Sequence, residues 1–383
     1  MYKNLLEPCG LTDVAFLPYG STKSSDLTVR YKTPATTMRY PHNKTENFVL
    51  FYDQEPLFKS HSAHTFDRHF FNIFKCGKSF NVLATSEHSQ EKRNIITENM
   101  LYDWYYFFHG FASLDWYKIY RHMPNVEKPF TKVFISLNHL MTKDRSYRLN
   151  LVSSLMEQDL IQYGLVSLQL EDKYGSWKDE LFSSDSNLSV DSKKRIFKQL
   201  HTLTSPLVVD THAPSGTLSA EADIELQQQA LWNIVSETVF YHDKLHLTEK
   251  IFKPIVSRRP FILVGAPNNL AYLKSYGFKT FDRWIDESYD SETDSDIRIQ
   301  KITEEIAKLC ALTPDELNTM HKEMEEVLEH NFMHFYTDFK TQIVHELVDN
   351  FEGCLNQYNC GKIGDKRIKP DINFSEVKKR MLL

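Results

Sequence analysis

The polar residues that open a predicted helix near position 250 have the chemistry needed to bind a nucleotide. Thr248 can serve as the N-cap, which leaves Glu249 and Lys250 in the first helical turn. Free amides and the positive end of the helix dipole favour a phosphate there, and the Lys250 ammonium adds a point charge. The Glu249 carboxylate only accepts hydrogen bonds, which suits it to the two hydroxyls of a ribose. The alternative is an ordinary capped helix start with solvated charges.

This stretch resembles the donor-binding signature of the α1,3-fucosyltransferase-like family of GT-B nucleotide-sugar glycosyltransferases. The matching residues are Glu237, Thr248-Glu249-Lys250-Ile251 and residues 260–265. In that family Glu-Asn-Ser precedes Tyr-(Val/Ile)-Thr-Glu-Lys and then Val-Pro-Val-Val-Leu-Gly. The chain departs from the pattern at Thr238-Val239, at His246 and at Phe261. The resemblance implies that Glu237 and residues 248–250 bind a nucleotide sugar.

An asparagine and two arginines upstream extend the resemblance. Asn138 ends a predicted strand, Arg145 follows seven residues later, and Arg148 lies on nearly the same face of the next helix. The family has a Ser-Asn loop followed by an arginine that faces the donor phosphates, which implies donor roles for Asn138 and Arg145. A guanidinium fork matches a phosphate in bidentate geometry, and Arg148 is a second candidate for it. The alternative for both arginines is a surface position on an amphipathic helix.

The segment Asp53-Gln54-Glu55-Pro56 is the candidate for acid–base chemistry. Transfer of a group to a hydroxyl requires a carboxylate or histidine that accepts the hydroxyl proton. The fucosyltransferase family has a Glu-Ser-Pro element in the comparable region, with its glutamate the proposed base. That resemblance points to Glu55, with Asp53 second and His88 a distant third. The alternative is a polar turn whose carboxylates cap nearby amides.

Short apolar runs alternate with helical patterns, which predicts an α/β fold. The main predicted strands are residues 48–52, 80–84, 132–137, 231–240 and 261–264. Carboxylates end a strand in the first half, and the Arg, Glu and Lys set lies in the second. This arrangement suits a GT-B-like architecture, in which two Rossmann-like α/β domains face each other across a cleft, with C-terminal helices. The predicted limits are 1–127 for an acceptor-side domain, 128–351 for a donor-binding domain and 352–383 for a basic tail.

Two further segments have patterns that predict helices. Residues 101–120 are crowded with aromatic side chains at helical spacing, which is typical of buried core rather than of a stacking platform. Residues 315–351 are amphipathic throughout, and Thr313-Pro314-Asp315-Glu316 before them is a well-formed helix start.

The composition is that of a folded globular protein with little charge bias. Apolar residues make up 41 % of the chain, the formal net charge is −6 and the pI is near 6.2. The charge weighs against a dedicated nucleic-acid binder. No apolar run approaches the roughly 20 residues that span a bilayer, so we expect no membrane association and a cytoplasmic location, in a host cell if the chain is viral.

No metal or cofactor is expected besides a nucleotide-sugar substrate. The five cysteines are scattered and lack zinc spacing, which indicates reduced thiols. The acidic residues 281–290 and the pair His330 and His334 are interpreted as ordinary loop and helix-surface residues.

Three functions are compatible with these features. The first is a metal-independent glycosyltransferase that moves a sugar from a nucleotide-sugar donor to a hydroxyl of a glycan or small molecule. The family resemblance implies inversion at the anomeric carbon and a guanine nucleotide. The second is a phage or viral DNA-base glycosyltransferase acting on a hydroxymethylated pyrimidine, because FYDQEPL, TEKIFKPI and DESYD resemble segments of unassigned glycosyltransferases from bacteriophages and marine viruses. The third is a non-catalytic module that binds nucleotide sugars or glycans.

Overall fold

The computed structural model describes residues 14–18, 47–57, 80–123, 129–209, 220–360 and 372–382. Their contacts divide the chain into two compact units. Unit 1 comprises the described parts of Met1–Phe111 and Lys340–Leu383, and unit 2 comprises those of Ala112–Phe339. Of the helices within these ranges, none combines the length and the apolar character that crossing a membrane requires.

Unit 1 is built on a parallel sheet of four strands. The strands are β1 (Val14–Pro18), β2 (Asn47–Tyr52), β3 (Asn81–Thr85) and β4 (Tyr102–Tyr105), and they lie side by side in that order. The helices that accompany them are α1 (Gln90–Glu98) and α2 (Phe108–Trp116), the second of which continues into unit 2.

Apolar side chains of these strands form a core with two C-terminal helices, α11 (Asp338–Cys360) and α12 (Phe374–Leu382). Trp104 is fully buried, packs against Phe351 with ring centres 4.6 Å apart, and donates its indole N–H to the carbonyl of Leu347 at 2.9 Å. The chain end therefore supplies part of the core of the first unit, which satisfies both the apolar body and the polar atom of the indole.

Unit 2 contains the second parallel sheet. Its strands are β5 (Lys132–Asn138), β6 (Gly164–Leu168), β7 (Ala230–Ser236) and β8 (Phe261–Val264), in the spatial order β8-β7-β5-β6. All four residues of β8 and all seven of β7 are buried, as expected for strands covered on both faces. The helices around this sheet are α3 (Tyr147–Glu157), α4 (Trp177–Phe182), α5 (Val190–Leu200), α6 (Ile224–Gln228), α7 (Phe252–Val256), α8 (Asn269–Ser275), α9 (Ser295–Cys310) and α10 (Pro314–Tyr336).

The α/β class predicted from the sequence is confirmed. The two segments whose patterns predict helices differ in detail from those predictions. The aromatic stretch is buried as expected, yet residues 102–105 form strand β4, because aromatic side chains also fit a pleated, half-buried surface. The long C-terminal pattern is two helices, since the backbone leaves helical geometry at Thr337 (φ −120°, ψ −93°). The capping box between Thr313 and Glu316 is formed as predicted. The domain limits drawn from the sequence stay predictions.

Candidate functional site

The sheet of unit 2 changes direction between β5 and β7. From β5 the chain passes through α3 to β6 on one side, and it then returns to β7 on the other side of β5. In a parallel sheet this reversal opens a crevice at the carboxyl ends of the two central strands, where ligands of α/β proteins bind. Those ends are Asn138 and Ser236, so the candidate site of unit 2 lies there.

Arg148 connects the two strand ends. Its Nη1 donates to the carbonyl of Leu140 at 2.8 Å, and Nη2 donates to the carbonyls of Ser236 at 2.8 Å and Glu237 at 3.1 Å. Its Nε donates to the Tyr147 hydroxyl at 3.2 Å. The residue is 4 % exposed, and among the described residues no carboxylate lies within ion-pair distance of the guanidinium. The crevice therefore contains a buried positive charge whose partners are all neutral oxygens.

The strand ends on either side also carry polar atoms without partners. The Asn138 amide nitrogen donates to the Ser136 hydroxyl at 3.0 Å and to the Ser167 carbonyl at 3.2 Å, which fixes the orientation of the amide. Its Oδ1 and the Oγ of Ser236 are buried and meet no hydrogen-bond partner in the described part of the chain. An unsatisfied buried polar atom costs about 1 to 3 kcal/mol, so an arrangement that keeps two of them in one crevice is suited to a ligand that satisfies them.

Glu237 is fully buried and holds the turn that leads to the helix start. Its carboxylate accepts from the Thr248 amide at 3.2 Å, from the Thr248 hydroxyl at 2.6 Å and from the Thr238 amide at 3.3 Å. Asn269 fixes the same turn, because its Oδ1 accepts from the His246 amide at 2.9 Å and its Nδ2 donates to the Lys244 carbonyl at 2.8 Å. The position of Thr248 is thus determined from two sides.

Lys250 is the part of this group that solvent reaches. Its ammonium donates to the Thr248 hydroxyl at 3.1 Å, to the Thr238 hydroxyl at 3.4 Å and to Glu249 Oε1 at 3.1 Å, and 32 % of its side chain is exposed. Thr248 caps a short helical segment as predicted, first in 3-10 geometry over Glu249–Ile251 and then as α7. Glu249 is 5 % exposed. An ammonium and a carboxylate therefore lie side by side, with the ammonium accessible to a ligand.

Arg145 lies in the segment between β5 and α3, and the residues on either side of it are bonded to the segment after β7. The Ser146 hydroxyl and the Tyr241 hydroxyl are 3.0 Å apart, and His242 Nε2 lies 3.0 Å from Asp144 Oδ1. Arg145 itself is half-buried. These two contacts hold the segment that carries Arg145 against the segment that leads to Lys250.

The candidate bases lie at the carboxyl end of β2 in unit 1. Asp53 is 2 % exposed and accepts a short hydrogen bond from the Tyr106 hydroxyl, whereas Glu55 is half-buried. His109 Nε2 lies 3.1 Å from the Gln54 carbonyl and so donates to it, which fixes the peptide between the two carboxylates. Of this pair, Glu55 is the more open to a substrate.

His88 follows β3 and stacks on Tyr105 with ring centres 3.9 Å apart. Loss of water around the ring lowers the pKa of His88 to about 4, and the nearby Lys92 ammonium contributes to the lowering, so the imidazole is neutral at pH 7. Lys92 is itself buried and pairs with Asp103 at 2.7 Å.

Sequence reasoning missed Glu87, whose buried carboxylate accepts from the Leu57 amide at 2.7 Å and from Ser89.

The acidic segment 281–290 uses its carboxylates to hold the backbone. Glu287 accepts from the Phe281 amide at 2.7 Å, and Asp290 accepts from the Leu270 and Ala271 amides at 2.8 and 3.0 Å. Within the described ranges, no three His, Cys, Asp or Glu side chains are grouped closely enough to hold a metal ion.

No protein-family model, no curated protein and no solved structure matches this chain. Evidence for a function therefore comes from the geometry of the described residues.

Proposed function

We propose that this protein is a glycosyltransferase that moves a sugar from a nucleotide-sugar donor to an acceptor hydroxyl. The observation that carries the proposal is Arg148, a buried cation without a carboxylate partner in the described chain, at the direction change of a parallel sheet. A buried charge is costly unless an opposite charge offsets it, and a diphosphate provides that charge. The unpaired Asn138 Oδ1 and Ser236 Oγ support a polar ligand in the same crevice.

The donor-binding roles of Lys250 and Arg145 follow from accessibility. Lys250 and Arg145 are partly exposed and bind the diphosphate directly, and Glu249 accepts from the ribose hydroxyls after its contact with Lys250 opens. The carboxylate of Glu237 and the guanidinium of Arg148 already have partners in the protein. Arg148 contributes positive charge and holds the strand ends in place, and Glu237 holds Thr248.

Resemblance to the α1,3-fucosyltransferase-like family supports the same assignment and suggests a GT-B organisation. In that organisation unit 2 binds the donor and unit 1 supplies the acceptor site and the base. Glu55 takes the proton of the acceptor hydroxyl while the acceptor oxygen bonds to the anomeric carbon. The bond from that carbon to the diphosphate breaks, and its electron pair leaves with the nucleoside diphosphate. Lys250 and Arg145 offset the charge that develops there.

The proposed acceptor is a glycan or a small molecule. A net charge of −6 disfavours an extended polyanion as substrate, since an acceptor bound through many phosphates requires a basic surface. Transfer to a hydroxymethylated DNA base is the competing acceptor reaction, and the salt dependence of transfer distinguishes the two.

The test is a screen of nucleotide sugars by thermal shift and by donor hydrolysis, repeated on variants. We expect one nucleotide sugar to raise the Tm of the wild type. Lys250→Ala should weaken its binding by about 1 to 2 kcal/mol, the size of a partly exposed charge-assisted hydrogen bond. Lys178→Ala is the matched control, because Lys178 is also an exposed lysine of unit 2 and its ammonium lies near the ring of Trp177 rather than beside Thr248. The proposal is wrong if no nucleotide sugar binds, or if both variants bind it as the wild type does.

A further inference from the structure

The segment after β5 contains a strained residue, Lys143. Its φ is +55°, in the left-handed region that side chains other than glycine rarely adopt. Such strain persists only where the surroundings impose it, and it accumulates at binding and catalytic sites. Lys143 lies two residues before Arg145, at the carboxyl edge of the unit 2 sheet where the candidate donor site is found.

Two carboxylates impose this conformation. Asp172 accepts from the amides of Met141 at 2.8 Å and Thr142 at 3.1 Å, and from the Thr142 hydroxyl at 2.9 Å. Glu180, which is 5 % exposed, accepts from the Lys143 amide at 2.8 Å. Three consecutive backbone amides are therefore bonded to acidic side chains, and the backbone of Lys143 has no freedom to relax.

The same contacts place two ammonium groups around one aromatic ring. Asp172 also accepts from the Tyr174 amide at 2.9 Å, which joins the short hairpin of Glu171–Asp172 and Gly175–Ser176 to the strained segment. Lys143 Nζ lies 4.5 Å from the centre of the Tyr174 ring, and Lys173 Nζ lies 4.8 Å from it. Tyr174 is 40 % exposed and both lysines are exposed, so a ligand can reach the group.

The two ammonium groups have no direct carboxylate partner within the described chain. Neither Lys143 nor Lys173 forms an ion pair there, and the carboxylates of Asp172 and Glu180 accept from backbone amides of this segment. The two ammonium groups that share one ring repel each other, and an anion that contacts both would offset this repulsion. A solvated surface lysine would need no strained backbone to position it.

We propose that Lys143, Lys173 and Tyr174 form a phosphate-binding site that adjoins the crevice and is separate from the Lys250 group. The phosphate has two possible sources, the distal phosphate of a nucleotide donor or a phosphorylated sugar used as acceptor. The two ammonium groups bind its oxygens as point charges, and the ring of Tyr174 holds the ammonium groups in place when no anion is bound. Phosphate binding at this site does not require the glycosyltransferase assignment, whereas the two sources named for the phosphate rest on the proposed function.

A site-specific test measures how fast each lysine is acetylated, by peptide mass spectrometry, with and without pyrophosphate. We expect pyrophosphate to slow the acetylation of both Lys143 and Lys173 and to leave Lys178 unchanged. Lys178 is the control because it is also exposed and also lies near an aromatic ring, at 5.6 Å from the centre of Trp177. Equal acetylation rates with and without pyrophosphate would overturn the proposal.

Variants separate binding from folding. Lys143→Gly removes the ammonium and also the backbone strain, so its Tm should equal or exceed that of the wild type while pyrophosphate no longer protects Lys173. Lys173→Gln should weaken pyrophosphate binding up to about fivefold, the effect of one screened charge pair, and Lys178→Gln should not. Wild-type protection of Lys173 in the Lys143→Gly variant would show that the strained residue has no part in binding.

The source of the phosphate is decided by two further ligands. Protection of Lys143 by a nucleoside diphosphate alone assigns the site to the donor. Protection by a sugar phosphate but not by the nucleotide assigns it to a phosphorylated acceptor. A nucleotide that binds through Lys250 without protecting Lys143, together with no effect of the sugar phosphate, would contradict the proposed site and leave the donor site intact.

Discussion

Arg148 and Glu237 meet through the backbone and not through their opposite charges. The guanidinium donates to the Glu237 carbonyl at 3.1 Å, while the Glu237 carboxylate accepts from Thr248 at 2.6 Å. The Tyr147 hydroxyl donates to the same carbonyl at 2.5 Å. One peptide at the end of β7 is therefore held by two side chains of α3, and its own side chain holds the helix start that carries Lys250. The positive charge of Arg148 stays available to an anion.

Replacement of Arg148 tests whether it supports the strand ends. Arg148→Met should lower the free energy of unfolding by about 2 to 5 kcal/mol, because the carbonyls of Leu140 and Ser236 lose a buried donor. Urea denaturation measures the change. Arg195→Met is a control, since Arg195 is a partly exposed arginine with a single hydroxyl contact and a distant ion pair. An Arg148→Met protein as stable as the wild type but unable to bind the donor would make Arg148 a direct ligand.

Replacement of the two candidate bases, Glu55 and Asp53, should affect different measured properties of the protein. Glu55→Gln removes the proposed proton acceptor and keeps the shape of the side chain, so turnover should fall roughly 100- to 10,000-fold while donor affinity is retained. Asp53→Asn changes a buried group bonded to Tyr106, and we expect a loss of folded stability as well. Turnover, donor affinity and Tm are measured for each. Near-wild-type turnover in both variants would place the base elsewhere.

His88 predicts a pH dependence of stability. Its pKa is about 4 in the folded chain and about 6.5 when unfolded, so between these values the unfolded chain binds a proton that the folded chain does not. Stability due to this residue is therefore undiminished above pH 6.5 and decreases as the pH falls towards 4. The Tm of the wild type minus that of His88→Gln should fall across this window. A difference that is constant from pH 7 to pH 4 would contradict the lowered pKa.

Acceptor class can be decided with salt. If the acceptor is a glycan or small molecule, DNA that carries hydroxymethylated pyrimidines should receive no sugar at any ionic strength. A DNA acceptor would instead be used at low salt, and its apparent affinity would fall steeply with added salt as counterions are released. Sugar transfer to the modified DNA and to small hydroxyl compounds is measured with the same labelled donor, at salt concentrations from low to physiological.

Local patterns were sufficient to predict much of the second sheet. Residues 261–264 form β8 with the predicted ends, and Thr248 caps the helical segment that follows Thr248. Both predictions succeed because apolar runs and capping side chains act over a few residues. The same holds for Glu55 at a strand end. Strand β4 was missed, since an aromatic-rich segment fits a helix or a strand equally well until its neighbours are known.

The sequence by itself determined the α/β class, most strand positions and the chemistry of the residues around Thr248. Only the tertiary structure decided which of those residues are accessible and which are held by the protein. Arg148 and Arg145 are three residues apart and look equivalent in a helical pattern. Arg148 is buried against carbonyls that include that of Ser236 in β7, whereas Arg145 is half-buried. The order of strands in the sheet brings residues 140 and 236 together, and a contact over that separation leaves no periodic trace in the sequence.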